Sequence, residues 1–128
     1  MLSGRPLRVL VVDDDARFRA LLLELLTGAG FDVVGVARDG AEGVQLAAEL
    51  HPDVVTMDLE MPRLNGVEAT RAIAALPSPP RVVVVSGSGS SELMADAAAA
   101  GAASRVAKSE VETALVPALA GGVALGAR

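Results

Sequence analysis

Five short apolar runs, each followed by a helix-patterned segment, constrain this chain more than any other feature. They are "RVLVVD" (8–13), "DVVGVA" (32–37), "DVVTMD" (53–58), "RVVVVS" (81–86) and "SRVAK" (104–108). Their near-continuous valine content suits parallel strands buried on both faces. Between the first two, Phe18, Leu21, Leu22, Leu25 and Leu26 fall on one helical face, with Arg17, Glu24 and Thr27 opposite and Leu23 outside the stripe. "DGAE" (39–42), "NGVE" (65–68) and "SEVE" (109–112) each place a capping residue three before a glutamate, as helix starts do. Gly28 and Gly30 suit a helix stop, "PSPP" (77–80) ends the third helix, and the alanine-rich stretch 92–100 is closed by Gly101. Pro117, Gly121 and Gly122 predict a short or kinked last helix. The alternation predicts an α/β doubly wound domain with a parallel sheet and right-handed crossovers.

The length of 128 residues suits one domain, and the 52% hydrophobic content fills its core chiefly with alanine, valine and leucine. With two phenylalanines and no tryptophan or tyrosine, there is no aromatic platform for single-stranded nucleic acid. The net charge of −5 argues against binding a phosphate backbone. The absence of cysteine removes disulfides, thiolate metal sites and a cysteine nucleophile. Apolar runs fall short of a membrane span, and Val9–Val12 stops at three aspartates, unlike a signal peptide. The expectation is a cytoplasmic protein with neither nucleic acid nor membrane as a direct partner.

In a sheet of this kind, ligands bind beyond the carboxyl ends of the strands. The first run ends in Asp13, Asp14 and Asp15, the second in Arg38 and Asp39, the third in Asp58, the fourth in Ser86 and the fifth in Lys108. Carboxylates, a hydroxyl and an ammonium therefore share one rim. Two carboxylates about 4 Å apart repel by roughly 4 kcal/mol at an effective dielectric near 20. A third requires a proton or a cation. Hard oxygen donors with no histidine or cysteine in the pattern favour magnesium. A carboxylate, a divalent cation, a lysine and a hydroxyl together suit phosphoryl transfer onto the carboxylate itself.

Each residue also has a simpler reading. An acid at a helix N-terminus accounts for Asp15 but not for two more. Alone, Asp58 is a turn residue, Lys108 a solvated surface lysine and Ser86 a cap. Their joint placement at successive strand ends is what those readings leave unexplained. "GSGSSE" (87–92) is no dinucleotide fingerprint, because aspartates after the first strand repel a pyrophosphate. His51, the only histidine, sits at a helix end before Pro52 and is given no catalytic role.

The segments "VLVVDDD", "DVVTMDLEMPRLNGVEATRAI", "RVVVVSGS" and "GAASRVAK", in this order and spacing, resemble the receiver domain of bacterial two-component response regulators. The resemblance covers roughly residues 7–119. "TMDLEMPR" is similar to receivers of the chemotaxis methylesterase kind, and "NGVEATRAI" also to receivers attached to helix-turn-helix regulators. It implies a flavodoxin-like sheet in the order 2-1-3-4-5 with five helices. It further implies Asp58 as phosphoacceptor, with Asp13, Asp14, Asp58 and the Glu60 backbone carbonyl as ligands of Mg2+. Ser86 takes the place of the switch hydroxyl and Lys108 that of the phosphate-binding lysine, while Glu60 and Ser88 face the site. The implied partners are a sensor histidine kinase or phosphotransfer protein, and an output domain or downstream protein. No enzymatic activity is expected beyond self-phosphorylation and self-dephosphorylation.

Residues 1–120 are expected to form the receiver, and 121–128 a flexible tail or the start of a linker. Two positions depart from the family pattern: Ser109 follows the lysine where proline is usual, and Arg105 stands where an aromatic residue is common. Arg105 is expected to stay outside, since a buried unpaired guanidinium costs several kcal/mol, more than the methyl-sized gap expected beside Ser86, at about 1 kcal/mol. Two other readings compete. A phosphatase with an aspartyl-phosphate intermediate generally needs a longer chain and a cap. An unphosphorylated interaction module does not explain the acid pair, Asp58 and Lys108.

Overall fold

The computed structural model describes residues 5–61, 64–87 and 91–126, with side chains through residue 120. Along the chain run β1 (Arg8–Val12), α1 (Ala16–Gly28), β2 (Asp32–Ala37), α2 (Gly40–Leu50), β3 (Val54–Met57) and α3 (Gly66–Ala74). There follow β4 (Arg81–Ser86), α4 (Ser91–Ala100), β5 (Ser104–Ala107), a 3-10 turn (Lys108–Glu110) and α5 (Val111–Gly126). The strands form one sheet in the order β2-β1-β3-β4-β5, every neighbouring pair parallel, as the resemblance implied. Val9, Val11, Val54, Val83 and Val106 face Leu22 and Leu26 of α1 and Val111, Leu115 and Leu119 of α5. Leu10, Val12, Val55, Met57 and Val82 face Ala47 of α2 and Ala69 and Ile73 of α3. Val84 packs with Leu59, Val67 and the α4 residues Ala97 and Ala100.

Burial on both faces holds for the three central strands and not for the edges. On β2, Val36 is 41% exposed, and on β5 both Arg105 and Ala107 are exposed. An edge strand has a neighbour on one side only, so valine content alone does not tell edge from centre.

The caps follow the sequence at three of four sites. Asp15 accepts from the Arg17 amide, Asp39 from the Glu42 amide, and Asn65 with Glu68 forms a reciprocal capping box. "SEVE" does not act this way, because Ser109 lies inside the 3-10 turn that follows β5 directly. The last helix is also not short: it runs sixteen residues, across Pro117 and both glycines. Losing a helical hydrogen bond to proline costs about 3 kcal/mol. Burying Val111, Leu115 and Leu119, each worth about 1.5–3 kcal/mol, offsets it. The exposed Pro117 ring lies off that stripe, and residues 127–128 lie outside the described residues.

Two glycines are demanded by close approach. A Cβ on Gly66 would run into the Asp58 carbonyl oxygen, and one on Gly40 into the Leu64 carbonyl oxygen. The Gly66 amide also donates to the Leu59 carbonyl at 3.0 Å, so α3 starts tightly against the loop that carries Asp58. Gly66→Ala should therefore cost about 1–3 kcal/mol, as overpacking does. Gly28→Ala, with nothing within 4 Å of the new methyl, should be neutral or stabilise by about 0.5–1 kcal/mol. Urea unfolding followed by circular dichroism compares the two; equal effects would contradict the close-approach argument.

Candidate functional site

Because β1 lies between β2 and β3, the chain leaves β1 on one side and returns on the other, which places the point where strand order reverses between β1 and β3. Val12 is in register with Met57, so the residues after them, Asp13 and Asp58, emerge side by side. Their backbones are anchored by the Asp13 amide on the Ala37 carbonyl at 3.1 Å and the Asp58 amide on the Val12 carbonyl at 3.0 Å. Across the sheet, Ser86 closes β4 opposite Ala107, so Lys108 follows at the same rim. Asp13, Asp58 and Lys108 all stand one residue beyond the strands, where backbone pairing ends and side chains turn to one another.

Carboxylate oxygens of Asp13, Asp14 and Asp58 lie within 4.8 Å of one another. Asp13 and Asp58 are buried at 1% and 3% exposure, while Asp14 is exposed and open to solvent. Asp15 is not part of this group; it caps α1. The Lys108 ammonium is 2.8 Å from Asp13 and 3.7 Å from Asp58, so it pairs more closely with Asp13 than with Asp58. Ser86 is buried at 2%. Glu60 is exposed, and its amide donates to Asp58 at 3.3 Å. Ser88 lies outside the described residues.

Burial pushes the Asp58 carboxyl up to about 7, and the Asp13 charge adds to the effect, with Asp14 contributing further. Lys108 and the Glu60 amide pull the other way without prevailing. Lys108 is held above its ordinary value: burial works against its charge, but the Asp13 hydrogen bond and the charges of Asp58, Asp13 and Asp14 prevail. One ammonium does not neutralise three acids. The remaining charge and the all-oxygen donor set fit a hard divalent cation such as magnesium.

Two α1 residues take part that the sequence did not single out for the site. The Arg19 guanidinium donates to the Asp13 carbonyl at 2.7 Å, and the Phe18 ring centroid lies 4.4 Å from the Lys108 ammonium. In the sequence Phe18 stands out only as part of the apolar stripe. The available signal was its position on the helix that starts directly after the β1 acids. Arg105 lies exposed, lining a groove of about 290 Å3 with Ser86, Met94, Val106, Glu110 and Ala114. His51 is a left-handed helix cap (φ 51°) whose carbonyl accepts from Arg8 at 2.7 Å, at the opposite end of the sheet.

Residues 9–120 match the family model described as response regulator receiver domain. Among curated relatives, protein-glutamate methylesterase/protein-glutamine glutaminase 5 of Myxococcus xanthus is 52% identical over 105 residues, 80% of this chain and 30% of that protein. The chain thus spans less than a third of that relative. Chemotaxis protein CheY of Thermotoga maritima is 41% identical over 74% of this chain and 79% of its own. The crystal structure of the response regulator domain of Thermotoga maritima CheB superposes with a TM-score of 0.85 at 36% identity, covering 92% of this chain and 96% of that one. With the sheet order, the acid cluster and the facing lysine all in place, the chain belongs to the response regulator receiver domain family and to phosphorelay signal transduction.

Proposed function

We propose that Asp58 accepts a phosphoryl group from a sensor histidine kinase or a phosphotransfer protein. The observation that carries this reading is the buried Asp58 carboxylate grouped with Asp13 and Asp14 and 3.7 Å from the Lys108 ammonium. A carboxylate oxygen of Asp58 attacks phosphorus, the bond to the donor breaks, and the donor leaves with its electron pair. Lys108 then balances charge on the phosphoryl oxygens, and the Ser86 hydroxyl donates to one of them. Asp13, Asp14, Asp58 and the Glu60 carbonyl would hold Mg2+, which supplies positive charge to the transferring group.

Residues 1–120 form the receiver in this reading, and 121–128, into which α5 continues as far as Gly126, are a tail or the start of a linker. The similarity to methylesterase receivers supports an output domain or downstream protein of that kind. The receiver itself turns over no external substrate, and any catalysis in a longer protein belongs to another segment. A cytoplasmic setting accords with the chemotaxis relatives; among the described residues no helix is long and apolar enough to cross a membrane. The phosphatase and unphosphorylated-module readings are not favoured.

Acetyl phosphate with magnesium should add one phosphoryl group, seen by intact mass and mapped to Asp58, with acetate released. Asp58→Asn should show none, and a label retained in that variant would refute the assignment.

The raised Asp58 value also ties stability to pH. The native state holds its proton more tightly than the unfolded chain, so this contribution is full below about 4 and is lost as pH rises through about 7. Without metal, the melting midpoint should fall between pH 4 and pH 8. Asp58→Asn should flatten the decline and melt several degrees higher than the unsubstituted protein at pH 8. Saturating magnesium should restore the midpoint at pH 8, by about 2.7 kcal/mol at a hundred times its dissociation constant. Calorimetry measures all three, and an unchanged midpoint with magnesium would count against the cation site.

A further inference from the structure

We propose that Phe18 is a positioning residue for Lys108, its ring holding the ammonium over the acids in readiness for the phosphoryl group; this rests on the phosphoacceptor reading above. Lys108 leaves the 3-10 turn on a flexible four-carbon stem, and two contacts hold its ammonium. Its Cδ lies 3.7 Å from where a Cβ on Gly87 would stand, so the stem runs past that residue with ordinary clearance. Its ammonium is bonded to Asp13 at 2.8 Å, and one side of it faces the Phe18 ring, 4.4 Å from the centroid. A ring face attracts a cation through its quadrupole and takes the place of water that would otherwise solvate it.

The ring is itself held firmly. Phe18 is half-buried against the core cluster shared by α1 and α5. Three residues before α1 begins, Asp13 is tied to the same helix by Arg19 and to the Asp15 amide at 2.8 Å. The first turns of α1 therefore fix both the ring and the acid that together grip the ammonium. A lysine held in this way has already given up rotamer freedom that a solvated one would lose on meeting the phosphoryl group. The ring, unlike Asp13, holds the cation without competing as an anion, so the ammonium can turn from Asp13 toward Asp58.

Lys108 is the only lysine in the chain, so isotopic labelling of lysine yields a single ε-methylene and ammonium signal. In the unsubstituted protein the ε-methylene protons should be displaced upfield by the ring current. Phe18→Leu should abolish that displacement and lower the rate of labelling by acetyl phosphate at saturating magnesium about three- to tenfold, the range a cation–π contact supports. Phe18→Tyr, which keeps the aromatic face, should retain both. Phe18→Met serves as the ring-free variant if the leucine form does not fold. An unshifted ε-methylene signal in the unsubstituted protein, an undiminished labelling rate in the ring-free variant, or a tyrosine variant as slow as the leucine one would overturn the proposal. An unsubstituted protein that takes no label at Asp58 would instead overturn the phosphoacceptor reading, which the ring-current signal does not test.

Discussion

Three carboxylates and one ammonium meet where the chain crosses from one side of the sheet to the other, and the remainder of the site follows from that excess of negative charge. Two of the acids are buried almost completely. Bringing such groups together opposes folding unless a proton, an ammonium or a metal balances them. The upward displacement of Asp58 expresses that imbalance. The same imbalance suits a site that gains a cation and then a phosphoryl group, because each arrival relieves or rearranges charge already under strain.

Holding the acids in place falls to the backbone and the core. Parallel pairing of β1 with β3 brings Asp13 beside Asp58, and Gly66 lets α3 begin directly against the Asp58 carbonyl. At the far end of the sheet, the Arg81 guanidinium donates to the Leu119 carbonyl, joining the start of β4 to α5. These supports join segments distant in the chain. The acid cluster can thus be electrostatically unfavourable while the valine and leucine core bears the cost.

The two departures from the family pattern fall near the side of the site formed by β5. Ser109 lies in a 3-10 turn, which carries Lys108 at the rim without a proline, and the peptide bonds among the described residues are all trans. Arg105 stands exposed beside the groove next to Ser86.

The chain's alternating pattern by itself determined the α/β class, the five strands, most helix caps and the acids, serine and lysine at the strand ends. These depend on local periodicity and on which residue ends each run. Strand order came through the resemblance of whole motifs rather than from periodicity, because no local signal says which strand lies beside which. Only the tertiary structure decided that Lys108 pairs more closely with Asp13 than with Asp58, that Phe18 and Arg19 belong to the site, and that Gly66 is required by contact rather than by turn geometry. It also showed α5 continuing across Pro117, where burial of a stripe four residues apart outweighs a local penalty. Each of these depends on three-dimensional distances set by packing, which sequence spacing does not encode.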